Sequence, residues 1–241
     1  MAGLNLSNVG FVGSLRGAGA APPAAGTAFD PTVYDAAYLS WMGANTSTFW
    51  QDQSGKGRHL TTSGASNPFP YTPNVRNGKA AYVSTADQQN AFFNLPAISA
   101  VNADYTITVV FGITTATQFT ALRFNDAALA FGRTYLGVNT AEIQAIYQNA
   151  GSGAVVAAVA GDTLLLTYQL NAATGATIRR NGAVAQTGLG YLAAKFTGGD
   201  AFLMRSGNII GPIYALLISV GNRSAAQVAA TEAYLTEQLA L

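Results

Sequence analysis

The clearest pattern in the chain is Tyr105-Thr106-Ile107-Thr108-Val109-Val110-Phe111, in which Tyr105, Ile107, Val109 and Phe111 alternate with Thr106 and Thr108. A period of two predicts a β-strand in an antiparallel sheet with one face in the core. Leu164 to Leu170 predicts a second strand, and Ala128 to Phe131 and Glu142 to Tyr147 are weaker candidates. Phe202-Leu203-Met204 follows Gly198-Gly199, and then Ile213 to Val220 runs almost continuously apolar. Such a run predicts a central strand covered on both faces. The pairs Asn77-Gly78 and Asn181-Gly182 interrupt apolar runs and predict tight hairpins. The period changes after Val220. Ser224-Ala225-Ala226-Gln227 has the spacing of a capping box, and a helix follows with Val228, Leu235 and Leu239 on one face and Glu232 and Glu237 available to solvent.

Between Phe49-Trp50 and Leu60 lies a polar turn, Gln51 to His59. Asp52 and Ser54 can accept hydrogen bonds from nearby amides, while Gly55 and Gly57 allow positive φ. This predicts a strand whose aromatic enters the core, a tight loop and a second strand. Asp30-Pro31 opens a segment to Trp41 that fits a short helical turn or an edge strand equally well. Residues 1–28 differ from the rest: glycine and alanine predominate, and Arg16 is the only charge. Their apolar subset, Leu4, Leu6, Val9, Phe11 and Leu15, could not form a core alone. A terminus of this kind either floats or lies against its own domain or a neighbouring subunit, and its composition favours docking. The chain therefore reads as an extended N-terminal docking arm, residues 1–28, and one domain, residues 29–241, without repeats or an internal linker.

The run Trp50 to Arg58, the proline-rich link after it and Asn77-Gly78-Lys79-Ala80 resemble the opening of bacterial and bacteriophage domains related to laminin G and concanavalin A. The Asn181-Gly182 hairpin resembles the late hairpin of those domains, and the last strand with its capped helix, Tyr234-Leu235 included, resembles their closing element. The resemblance spans about residues 30–241. It implies an all-β fold: a two-sheet antiparallel jelly-roll sandwich of concanavalin A type, with a short C-terminal helix and the N-terminal arm.

The 241 residues are 49% hydrophobic, ample for a substantial core without metal or disulfide. Only 10% are charged, against about 25% in ordinary soluble domains. Either the surface is neutral and rich in Thr, Asn, Gln and Ser, or much of it sits against other subunits. The 12 Lys and Arg cluster no further than Arg179-Arg180, so nucleic acid is not an expected partner. The absence of cysteine excludes disulfides, thiolate nucleophiles and cysteine zinc sites. No basic segment followed by an apolar run opens the chain, so no secretory signal is expected; the runs Ala154 to Ala160 and Ile213 to Ile218 are too short to span a bilayer.

The candidate chemistry is sparse. A glycosidase needs two carboxylates facing each other, yet the only glutamates are Glu142, Glu232 and Glu237, and the Glu-x-Asp-x-Glu motif of jelly-roll glucanases is missing. His59 is the sole histidine, which argues against a Ser-His triad and a multi-histidine metal site. Asp87 to Asn90, Asn102 to Asp104 and Asn125-Asp126 are oxygen-rich, but turn formation explains them and none has calcium-loop spacing. Aromatics beside polar donors are the remaining signal: Phe69 and Tyr71 near Asn67, Tyr135 near Arg133, and Tyr191 near Lys195. Of these, Phe69, Tyr71, Arg133 and Tyr135 are the candidate glycan contacts. The resemblance then implies a non-enzymatic structural or adhesive protein of a virion, a bacteriophage capsid-decoration or tail-fibre component, without catalytic, metal or cofactor residues. Its arm would dock on other virion proteins, its lectin-like domain would meet host surface glycans, and a homo-oligomer is expected. The alternative is a carbohydrate-binding module of a bacterial surface protein.

Overall fold

The computed structural model describes residues 29–62, 70–84, 93–114, 119–125, 133–139, 142–147, 152–157, 159–189, 194–196, 202–205 and 211–241. Asp30 caps a 3-10 turn, Pro31–Val33, and the strand β1 (Ala36–Leu39) follows. The segment that suited a helical turn or a strand thus forms one after the other. Next come β2 (Phe49–Trp50), β3 (Leu60–Thr62), β4 (Tyr71–Arg76), β5 (Lys79–Ser84), β6 (Phe93–Asn94) and β7 (Ser99–Ala103). Then follow β8 (Tyr105–Gly112), β9 (Phe119–Asn125), β10 (Arg133–Asn139), β11 (Glu142–Tyr147) and β12 (Ser152–Ala157). The chain continues through β13 (Thr163–Asn171), β14 (Gly175–Arg180), β15 (Ala183–Leu189), β16 (Ala194–Phe196), β17 (Phe202–Arg205) and β18 (Gly211–Val220), and α1 (Ala225–Leu239) closes it.

These strands build two eight-stranded sheets. The first has the order β15-β14-β13-β8-β18-β5-β4, with β1 also paired to β18. The second has the order β12-β11-β10-β9-β17-β6-β3-β2, and β7 and β16 form a separate pair. Every described strand pair is antiparallel. The fold is the expected antiparallel sandwich with a single C-terminal helix. Both Asn-Gly pairs form the hairpins expected of them. Asn77 and Gly78 have φ of 46° and 70°, and Asn181 and Gly182 have 47° and 84°, the doubly positive turn that matches strand twist.

Side-chain alternation then decides the layering. Ile107, Val109 and Phe111 of β8 share one core with Trp50, Leu60 and Phe93 of the second sheet. Val110, Leu165 and Leu217 face the other way, onto Leu235 and Leu239 of α1. The first sheet is therefore covered on both sides, and all eight residues of β8 are buried. The threonines of its alternation are buried by pairing rather than exposed. The Thr108 and Thr167 hydroxyls lie 3.2 Å apart, and Thr106 Oγ1 accepts from the Arg223 amide at 2.9 Å and donates to the Gly221 carbonyl at 3.2 Å. β18 is central and enclosed, as its apolar run predicts. It can enter beside β8 only because position 211 is glycine, where a Cβ would stand 2.1 Å from the Gly112 carbonyl oxygen.

The terminal helix forms as its sequence predicts in all but one respect. Ser224 Oγ accepts from the Gln227 amide while the Gln227 side chain accepts from the Ser224 amide, and Val228, Leu235 and Leu239 are buried. Glu232, expected in solvent, is instead 4% exposed. Its carboxylate takes a two-pronged bond from Arg179 of β14, Nε to Oε1 and Nη2 to Oε2, each 2.9 Å. The helix lies flat on the sheet, so the arginine beneath it reaches a residue that the helical period alone assigns to the wet side.

Candidate functional site

The polar turn after Trp50 proves to be an internal clasp. Asp52 is buried and accepts from the amides of Ala37 at 3.0 Å, Ser54 at 2.9 Å and Arg58 at 3.0 Å, and from the Ser54 hydroxyl at 2.7 Å. Its own amide donates to His59 Nδ1 at 3.1 Å, and the His59 ring packs against Phe49. Gly55 and Gly57 take φ of 77° and 68° to close the loop. Lys56 and Arg58 converge on the Asp35 carboxylate at 3.2 and 3.8 Å. Each group points inward to backbone or to another member, so this cluster ties β1 to the β2–β3 loop and presents nothing to a ligand.

A groove of about 380 Å³ lies between the start of the described body and α1. Phe29 stacks on Tyr234 with ring centroids 4.0 Å apart, and Tyr34 bonds its hydroxyl to Thr231. The Arg223 guanidinium sits 4.6 Å above the Tyr34 ring, donates from Nε to Ser219 Oγ at 3.0 Å and from Nη2 to the Val33 carbonyl. Burial raises the Tyr34 phenol above its ordinary range. A hydrogen bond from the Thr32 side chain holds the exposed Asp30 carboxyl below its own. The lining is one aromatic wall with an arginine bonded through Nε and Nη2, and Phe29, the first described residue, lies on the helix side.

The second sheet carries a different feature. Backbone register aligns Phe49, Thr61, Asn94, Phe202, Arg123, Tyr135, Ile146 and Ser152 in one transverse row across all eight strands. Trp50, Leu60 and Phe93, one residue away on their strands, belong to the shared core. Alternation therefore assigns Phe49, Thr61 and Asn94 to the outer face. Thr61 is exposed and Phe49 and Asn94 are half-exposed, in keeping with that assignment. Neighbouring strands are about 4.8 Å apart, so the row extends over about 34 Å. Two residues further along β9 and β10, Asn125 and Arg133 pair with each other.

Of the sequence-predicted residues, Tyr135 stands in this row by backbone register and Arg133 two residues along the same strand. Tyr71 does not: it lies on the edge strand β4 of the first sheet, packs against Tyr82 and donates its hydroxyl to the Ser40 carbonyl at 2.9 Å. It is the first residue of that strand, and its hydroxyl is spent on the backbone. Phe69 and the arm residues Leu4, Leu6, Val9, Phe11 and Leu15 lie outside the described residues, as do Tyr191 and the segments Asp87 to Asn90 and Ala128 to Phe131. The Asp104 carboxylate accepts from the Ala172 amide at 2.9 Å and from Asn222 at 3.2 Å, which makes it a loop tie. Among the described residues no three of His, Asp or Glu converge. Sequence reasoning did not place Arg123, Phe202 and Asn94 in the same transverse row as Tyr135. The alternation Leu122-Arg123-Phe124-Asn125 carried the signal for β9, but only pairing shows which strands stand beside it.

No known protein family and no curated protein matches the chain by sequence. Solved structures do match by fold. The botulinum neurotoxin serotype D binding domain aligns with a TM-score of 0.62 at 11% identity, over 85% of this chain and 51% of that one. Domain 4 of the extracellular arabinanase AbnA of Geobacillus stearothermophilus, solved with arabinotriose, aligns with 0.61 at 17% identity, over 81% and 96%. Trypanosoma rangeli sialidase aligns with 0.59 at 8%, over 85% and 33%. The chain thus spans about half of the neurotoxin domain and a third of the sialidase. What the three share with this protein is the sandwich.

Proposed function

We propose that the protein is a non-enzymatic, lectin-like binding domain of a virus particle, a bacteriophage capsid-decoration or tail-fibre component. In this reading residues 1–28 dock it on other virion proteins and the outer face of the second sheet meets host glycans. The outer positions Phe49, Thr61 and Asn94, in backbone register with Tyr135, are the observation that carries the binding half: an aromatic ring, a hydroxyl and an amide along one sheet face suit a saccharide. The low charge of the chain supports assembly into a homo-oligomer. A second reading, a carbohydrate-binding module of a bacterial surface protein, is favoured by the match over nearly the whole of an arabinanase domain crystallised with a sugar.

Full-length protein applied to a glycan array is expected to retain a defined set of saccharides, and Tyr135→Ala is expected to weaken retention at least tenfold with the thermal midpoint unchanged. No retention by any glycan would end the lectin reading. Removal of residues 1–28 is expected to abolish incorporation into particles while circular dichroism still reports a β fold; incorporation without the arm would favour the surface-module reading.

A further inference from the structure

Independently of the glycan reading, we infer that the groove between the 3-10 turn and α1 binds a small amphipathic monocarboxylate, a molecule that joins one carboxylate to an apolar body. The groove holds about 380 Å³, within the range of small-molecule sites. Its apolar lining is Phe29, Val33, the Tyr34 ring and Ala230. Val33 is 51% exposed, so an apolar body laid along the groove takes that surface out of water. A stable protein interface takes about 20–30 residues from each side, against the eight that line this groove, so its size suits a small molecule and not another chain.

The polar lining sets the ligand chemistry. Arg223 stands over the Tyr34 ring and spends two of the five N–H donors of a guanidinium, one on Ser219 Oγ and one on the Val33 carbonyl. Its remaining donors have no partner in the protein. Gln227 gives its Oε1 to the Ser224 amide, which leaves its Nε2 unspent. Both free groups only donate, so the ligand group that meets them must accept. A carboxylate accepts two parallel bonds from a guanidinium, each about twice as strong as a bond between neutral groups. Two hydrogen bonds and a ring already hold Arg223, so little ordering remains when the ligand arrives.

Asp30 limits the ligand to one negative charge. Its carboxylate belongs to the same lining and accepts from the Thr32 amide at 2.9 Å and the Thr32 hydroxyl at 2.7 Å, bonds that keep it ionised at neutral pH. It forms no ion pair with Arg223. A second carboxylate on the ligand meets this charge and is repelled. The Tyr34 hydroxyl takes no part, because it is spent on Thr231.

The test is titration calorimetry of the full chain with phenylpropionate, its alcohol phenylpropanol and the dicarboxylate phenylsuccinate. Phenylpropionate is expected to bind about tenfold more tightly than either of the others. Ala230→Trp fills the groove from the helix and is expected to abolish binding with the thermal midpoint unchanged. Asp30→Asn keeps a capping side chain and is expected to bring phenylsuccinate up to the affinity of phenylpropionate. Equal binding of the alcohol and the acid, binding that survives Ala230→Trp, or unchanged discrimination against phenylsuccinate in Asp30→Asn would each overturn the inference. Binding of no probe would do the same. Dissociation of an oligomer by phenylpropionate, read by light scattering, would overturn it in favour of a second copy as the occupant. Glycan retention, which belongs to the opposite face, stands or falls separately.

Discussion

Asp52 shows how one residue can dominate a local structure without being a site. Three amides from separate positions, Ala37, Ser54 and Arg58, donate to one buried carboxylate. Truncation would leave those donors dry, each at about 1–3 kcal/mol, less what relaxation and water recover. Asp52→Ala is expected to cost about 3 kcal/mol or more in urea unfolding, whereas Asp52→Asn keeps an acceptor and should cost less than half of that. Comparable losses for the two substitutions would show that the amides are not the origin of the effect. The turn could be read locally, since Asp52, Ser54 and the two glycines name the hydrogen bonds of their own loop. The bond to Ala37 could not, because it joins positions fifteen residues apart.

At the scale of elements, what could be read in the sequence was whatever a few consecutive residues decide. The Asn-Gly hairpins, the capping box before α1 and the enclosed run of β18 all follow from local patterns, and each formed as expected. Two things depended on neighbours far along the chain. One is the outer row, which joins Phe49 to Ser152 through seven pairings and exists only once the strand order is known. The other is Glu232, whose fate was set by Arg179 on β14. That ion pair raises the Arg179 pKa, chiefly through the hydrogen bonds of the Glu232 side chain. Glu232→Ala strands a partly covered guanidinium and is expected to cost about 2 kcal/mol and about 5 °C of thermal midpoint. Glu237, exposed on the same helix, is the control: Glu237→Ala should stay within about 0.5 kcal/mol.

Over the whole molecule the interior is unusually phenolic. Burial pushes the Tyr105 hydroxyl up to about 12, and raises those of Tyr38, Tyr82 and Tyr168 still further. Below about pH 10 both folded and unfolded chains keep these protons, so nothing changes. Above it the unfolded chain releases them and the folded chain does not, so unfolding gains free energy as pH rises. Stability is therefore expected to fall from about pH 10 upward for all four, the Tyr105 share ending near pH 12 and the others continuing past it, with tyrosinate absorbance appearing together with loss of the β signal. Tyrosinate forming well before the fold is lost would show that these rings are open to water. One further consequence comes from Phe29 lying on Tyr234. Residue 29 lies on the helix layer, whereas Phe49, Thr61 and Asn94 occupy the far side of the two sheets, across about 20 Å of protein. A support that held the molecule at residue 29 would therefore leave that far face turned away from it, and a lattice of such copies would show every partner the same aspect.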